Sequence, residues 1–114
     1  MEIPPWLPTG TTPIRYALNW GAFDAPNVLA IHCVHIDAED IEKLKEYNVA
    51  IAACPRCNAQ LGMGVAPISE FLRAGLRLGL GTDSPAATDS TDMLAEMRIG
   101  MLVQRAVNVG KFLD

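Results

Sequence analysis

No apolar run in this chain comes near the ~18 residues that a membrane-spanning helix requires. The first residues, Met-Glu-Ile-Pro-Pro-Trp-Leu-Pro, lack a positively charged opening and are rich in proline, so they do not read as a signal peptide. Basic residues are few and scattered. Nine Lys and Arg among 114 residues, at a net charge of −4, leave no clustered surface for a nucleic acid. Charge of either sign is limited to 19% of residues against 50% hydrophobic, which excludes a disordered composition. The length suits one ordinary domain with a modest core. These features predict a single domain over 1–114 that is soluble and cytoplasmic, with neither a nucleic-acid nor a membrane partner.

Cysteine is sparse and odd in number: Cys33, Cys54 and Cys57. Without a secretion signal, three cysteines argue against a disulfide framework. Cys33 lies inside an apolar run and reads as a small core residue. Cys54-Pro-Arg-Cys57 has a spacing that raises a redox or zinc reading. A zinc ribbon needs a second pair, however, and no long redox helix opens at Cys57. Two unlinked cysteines in a loop is the plainer reading.

What the chain does have is a rhythm of short apolar runs and amphipathic stretches. Residues 1–11 read as irregular, with Trp6 and Leu7 available to tack the segment onto a neighbour. Thr12 caps a short helix with Pro13 in its first position and Ile14, Ala17 and Leu18 facing inward; Gly21 stops it. Residues 24–27 make a turn. Val28 to Val34 is short and almost uniformly apolar, which predicts a strand buried on both faces of a parallel sheet. Asp37 and Asp40 have capping-box spacing for a helix whose inner face is Ile41, Leu44 and Tyr47. A second strand, Val49 to Ala53, leads into a long loop, 54–66. Pro67 starts a helix with Ile68, Phe71 and Leu72 inward, and Leu76 to Leu80 is the third strand. After a loop at 81–90, a last helix runs to about Asn108. Its stripe of Met93, Leu94, Met97, Met101 and Leu102 is expected to pack into the core.

The order α-β-α-β-α-β-α implies right-handed parallel crossovers. Three strands cannot close a barrel and leave two bare edges. The chain is then either a small open sandwich or a piece of something larger. Both long loops follow the C-terminal ends of strands, where functional loops gather in barrels and open α/β sheets.

Asp83 and His32 each lie at or just past such a strand end. A carboxylate there can bind a divalent metal and accept a proton from water. A histidine there can ligate a metal or polarise a substrate. Each also has a plainer reading: Asp83 as a turn or cap residue, His32 as a core histidine bonded to a backbone carbonyl. His35 falls on the opposite face of an extended strand from His32 and reads as a turn or supporting position. Gly79-Leu-Gly81-Thr-Asp-Ser84 mimics a dinucleotide loop but lacks its third glycine, and the next helix starts too late.

Taken together, His32-Cys-Val-His-Ile36, Cys54-Pro-Arg-Cys-Asn58 with Leu61-Gly62 and Gly64-Val-Ala-Pro67, Gly81-Thr-Asp-Ser84, and Asp92-Met-Leu-Ala-Glu-Met-Arg98 resemble the amidohydrolase superfamily. Thr12-Pro-Ile-Arg-Tyr16 resembles the helix before the first matched strand. The resemblance spans about residues 10–107. It is to the branch of metal-dependent deaminases and chlorohydrolases acting on nitrogen heterocycles, which holds 5-methylthioadenosine/S-adenosylhomocysteine deaminases, guanine deaminases and triazine hydrolases.

The resemblance implies an α/β fold made of about three parallel strands, the sixth to eighth, of a TIM (β/α)8 barrel. It implies that Asp83 is a metal ligand that also shuttles protons. His32 would sit beside the metal and contact the substrate, and Asn58 would shape its loop rather than do chemistry. The implied cofactor is zinc or iron, and the substrate a small heterocycle whose C–N or C–Cl bond is broken by metal-activated hydroxide. The family's His-x-His, its fifth-strand histidine and its glutamate have no counterpart here. The expectation is therefore an enzyme fragment, inactive alone and able to lack a metal of its own. The alternatives are a non-catalytic α/β module that self-associates or complements a missing half-barrel, and a small redox protein using Cys54 and Cys57.

Overall fold

The computed structural model describes residues 10–110, so the expected role of Trp6 and Leu7 falls outside the described residues. Its elements are α1 (Pro13–Asn19), β1 (Leu29–Ile31), α2 (Ala38–Glu46), β2 (Ala50–Ala53), α3 (Pro55–Gln60), α4 (Ile68–Arg73), β3 (Leu78–Leu80), α5 (Pro85–Thr88) and α6 (Met93–Val107). The three strands form one parallel sheet in the order β1-β2-β3, with Ala30 opposite Ile51 and Ala52 opposite Gly79.

The helix starts follow from their caps. The Thr12 hydroxyl accepts from the Arg15 N–H and donates to Asp40 Oδ1 at 2.6 Å. Asp37 and Asp40 exchange side-chain and backbone hydrogen bonds at 3.0 Å, a complete capping box at α2. Asp40 can be fully buried because both its oxygens are satisfied by these neighbours. Asp92 caps α6 by accepting from the N–H groups of Leu94 and Ala95.

The core gathers Ile14 of α1, Leu44 of α2, Ile51 of β2 and Phe71 of α4, with Val49, Cys33 and Leu76 at strand margins. Residues in register share a face, so Leu29, Ile31, Ala50, Ala52 and Gly79 lie on the side opposite Ile51. That side is open: Leu29 is 59% exposed and Ile31 54%. The expectation that the first strand is buried on both faces is therefore corrected. Its apolarity records two faces suited to burial, while the described residues cover only one.

Four further corrections concern helices. The predicted loop 54–66 begins as helix α3, with Pro55 in its first turn, where a missing N–H costs nothing. The loop 81–90 contains the short α5. On α4, Phe71 is buried as expected but Leu72 is 62% exposed. On α6, the predicted inward stripe Met93, Leu94, Met97, Met101 and Leu102 is exposed, and the buried positions are Glu96, Gly100 and Gln104.

The physical reason is that α6 packs against α3 through its small and polar face. A Cβ on Gly100 would come within 3.1 Å of Pro55 Cγ, so the close approach of α6 to α3 favours glycine here. Gln104 donates to the Ala66 carbonyl at 2.8 Å. The methionine face is left lining a groove of about 640 Å³ with Leu72 of α4 and Leu78 and Leu80 of β3. Among the described residues no helix is long and apolar enough to cross a membrane.

Candidate metal centre

The site forms where the three strands end. Past Ile31, the His32 N–H still bonds the Ala52 carbonyl at 2.9 Å, and then the chain turns sharply. His32 and Cys33 both take left-handed backbone angles, with φ of 69° and 47°. Past Leu80, the Gly81 N–H bonds the Ala53 carbonyl at 2.9 Å, and Asp83 is also left-handed at φ 58°. Such conformations are uncommon for residues with a Cβ and are found where surrounding structure holds a side chain in place. Between these two ends, β2 runs straight into α3, which carries Cys57 and Asn58.

Three contacts organise the side chains. His32 Nε2 lies 3.5 Å from Asp83 Oδ2. His32 Nδ1 lies 3.0 Å from Asn58 Oδ1. The Cys57 sulfur lies within 4.8 Å of an Asp83 carboxylate oxygen. One donor atom from each of His32, Cys57 and Asp83 falls within 4.8 Å of the others. Cys57 and Asn58 are each 2% exposed, whereas His32 and Asp83 reach solvent.

With Asn58 offering an oxygen, Nδ1 carries the imidazole proton and Nε2 turns its lone pair toward Asp83. The Asp83 carboxyl is held below the usual carboxylate range by the neighbouring Cys57 thiol first, then by the Ser84 N–H and by His32. The neighbouring Asp83 carboxylate, together with burial, pushes the Cys57 thiol up to about 11. Burial raises the Cys54 and Cys33 thiols as well. An imidazole nitrogen, a sulfur and a carboxylate oxygen converging at this spacing are donor types that zinc takes.

The sequence pairing of His32 with Asp83 is thus met in space. His35 is exposed and stands outside the cluster. Cys54 and Cys57 are free thiols, so neither forms a disulfide. Their raised proton affinities are opposite to what a reactive redox pair requires. Sequence reasoning missed Cys57 and the direct contact of Asn58 with His32. The signal was Pro55, which starts a helix and so turns two adjacent residues, 57 and 58, toward the strand ends.

The helix is fixed from outside. Glu96 Oε1 of α6 accepts from the Arg56 N–H at 2.7 Å. The Arg56 guanidinium donates to the Thr88 carbonyl at 2.5 Å and to Ser90 Oγ at 3.2 Å. Thr88 Oγ1 in turn lies 3.1 Å from the Thr82 carbonyl. This network ties α3 to the segment that carries Asp83.

Comparison with known proteins gives a consistent result. Residues 9–113 match the Amidohydrolase family. A 5-methylthioadenosine/S-adenosylhomocysteine deaminase of Pelotomaculum thermopropionicum is 50% identical over 96 residues, 84% of this chain and 22% of that protein. The zinc complex of an atrazine chlorohydrolase from Arthrobacter aurescens superposes with a TM-score of 0.82 at 31% identity, covering 90% of this chain and 22% of that one. A zinc-bound adenosine deaminase from Xanthomonas campestris gives a TM-score of 0.79 at 28% identity, covering 87% and 22%. The chain therefore spans about a fifth of the length of the relatives it matches.

Proposed function

Because the chain belongs to the Amidohydrolase family, we propose that it supplies the His32–Asp83 part of a metal-dependent hydrolase site that removes an amino or chloro group from a nitrogen heterocycle. Its three parallel strands and their helices are a segment of the (β/α)8 barrel, as expected. The observation that carries the functional reading is the 3.5 Å approach of His32 Nε2 to Asp83 Oδ2 at the C-terminal ends of two strands.

Asp83 would hold the metal, which when bound supplies the Lewis acidity that makes water a nucleophile near neutral pH. Asp83 is suited to accept a proton from attacking water, since its carboxyl is kept ionised at neutral pH. His32 can take that proton on Nε2 from Asp83 and pass it to the substrate, because Asn58 keeps the other nitrogen occupied. A protonated His32 then faces charge developing on the heterocycle. The same machinery serves a departing amine or chloride. The relatives' names include both a deaminase and a chlorohydrolase, which supports the bond class rather than one substrate.

The test is complementation. The chain is co-expressed with a polypeptide carrying the remaining barrel strands of a relative, and release of ammonia from aminated purine nucleosides is followed. The chain alone is expected to be inactive and the pair active, with Asp83→Asn and His32→Gln each losing at least about 100-fold, the scale of acid–base catalysis. Full turnover by the Asp83→Asn pair would sink the reading.

A second reading keeps the fold but not the chemistry: a module that associates through its open faces. The exposed Leu29 and Ile31 and the exposed methionine stripe of α6 favour it. Light scattering with and without the complementing polypeptide separates the two.

A further inference from the structure

We propose that Cys57 is a metal ligand, so that His32 Nε2, Cys57 Sγ and the Asp83 carboxylate form a three-donor cation site held entirely within this chain. The inference concerns the chain without a complementing segment: with Nε2 on a cation His32 passes no proton, so the proton relay of the reading above belongs to the complemented barrel, where further donors hold the metal.

The first support is the direction of the lone pairs. Asn58 Oδ1 accepts a hydrogen bond from Nδ1–H, so His32 presents Nε2 as a bare donor 3.5 Å from a carboxylate oxygen. Two lone-pair donors that close repel unless something positive lies between or beside them. The sulfur of the buried Cys57 lies within 4.8 Å of both and carries a proton that it can give up. A divalent cation that displaces this proton to solvent bonds the sulfur and the carboxylate together. The S–H bond breaks, one proton leaves, the metal–sulfur bond forms, and no redox change occurs.

The second support is preorganisation. Cys57 is 2% exposed although it sits on a six-residue helix next to the open end of the sheet. Glu96 anchors that helix at Arg56 N–H, and the Arg56 side chain ties it to Thr88 and Ser90, beyond the turn that presents Asp83. The sulfur and the carboxylate thus belong to one braced unit, and their spacing does not have to be created by the cation. The His32–Asn58 contact is the outer hydrogen bond that fixes a metal-binding imidazole.

The donor types choose the cation. One nitrogen, one sulfur and one oxygen suit zinc or cobalt(II); magnesium and calcium favour all-oxygen sites. Three protein donors leave a fourth position open for water or for a donor from a complementing segment.

The test uses the chain as it stands, reduced and titrated with cobalt(II). A one-to-one complex with near-ultraviolet thiolate-to-cobalt charge-transfer absorption is expected, displaced by one equivalent of zinc. Cys57→Ser is expected to remove that absorption, while Cys54→Ser and Cys33→Ser keep it. X-ray absorption of the zinc-loaded unmodified chain is expected to show one sulfur at ~2.3 Å, a result that does not depend on any variant folding. A first shell of nitrogen and oxygen only, or charge-transfer absorption that survives Cys57→Ser, overturns the proposal. Failure of turnover in the complemented barrel would leave the sulfur signal untouched, so the two readings fail separately.

Discussion

His32 Nδ1 faces Asn58 Oδ1 at 3.0 Å, and this contact decides which nitrogen of the imidazole is open to the site. Asn58 is buried on α3, so the contact is exchanged for water only if the helix moves. Asn58→Ala is therefore expected to let both neutral tautomers of His32 populate, read from imidazole ¹⁵N shifts. Zinc affinity, measured by chelator competition, should fall about 10–100-fold, the usual effect of removing such an outer partner. A single Nδ1–H tautomer persisting in the variant would show that something other than Asn58 orients the ring.

Glu96 is fully buried and acts on the site at one remove. Its Oε1 accepts the Arg56 N–H at 2.7 Å, one of the donors left open at the start of α3. Glu96→Ala leaves that N–H buried without a partner, and should cost about 1–3 kcal/mol in urea unfolding. Glu96→Gln keeps a carbonyl acceptor in the same place and should lose less than Glu96→Ala. Because α3 carries Cys57 and Asn58, the Ala variant should also weaken zinc binding, and the Gln variant should recover most of it. Equal losses from both substitutions would mean that the negative charge, not the acceptor, is what α3 requires.

The parts legible in the sequence are those specified by neighbours in the chain. The Thr12–Pro13 start, the Asp37–Asp40 capping box and the Asp92 cap all occur where local hydrogen-bond chemistry puts them. His32 and Asp83 could be paired because both follow short apolar runs, and parallel strands bring such ends together. Cys57 was harder to read, because Gly62 and Gly64 made the whole segment resemble a loop while Pro55 allows a helical turn. The α6 stripe failed for a different reason. Periodicity identifies an apolar face but not the surface that covers it, and here the described residues put Glu96, Gly100 and Gln104 inward instead.

Acid should weaken the junction of α1 and α2 in a defined window. The Arg15 guanidinium bonds both Asp37 oxygens at 2.9 Å and holds the Asp37 carboxyl below its usual range, aided by the Asp40 N–H. A carboxyl depressed in the folded state adds stability above its unfolded value, ~3.9, and loses it as pH falls through the lower folded value. Arg15, pushed further up by the same contact, stays charged throughout and contributes no step. The pair's contribution should hold from pH 7 to 5 and decline below about pH 4. Arg15→Met should flatten that decline in urea midpoints taken across pH, measured on an Asp83→Asn background, since Asp83 is depressed in the same direction. An unchanged acid slope would remove Arg15 as the cause.

The exposed α6 face offers the sharpest contrast between the sequence expectation and the structure. If Met97 and Met101 were core residues, replacing both with Lys would bury two unpaired charges and unfold the chain. In the structure both side chains stand open on the groove beside β3. Met97→Lys with Met101→Lys should then change stability by no more than about 0.5 kcal/mol per site, as at other surface positions. The same pair should reduce self-association, because the open face and the β3 edge present apolar surface and unpaired backbone groups side by side. Sedimentation at rising concentration is expected to show the unmodified chain associating and the double variant remaining smaller. A variant destabilised by several kcal/mol would restore the core reading of the stripe. An unmodified chain that stays monomeric at every concentration would show that the groove and edge, though apolar and open, do not bind a second copy.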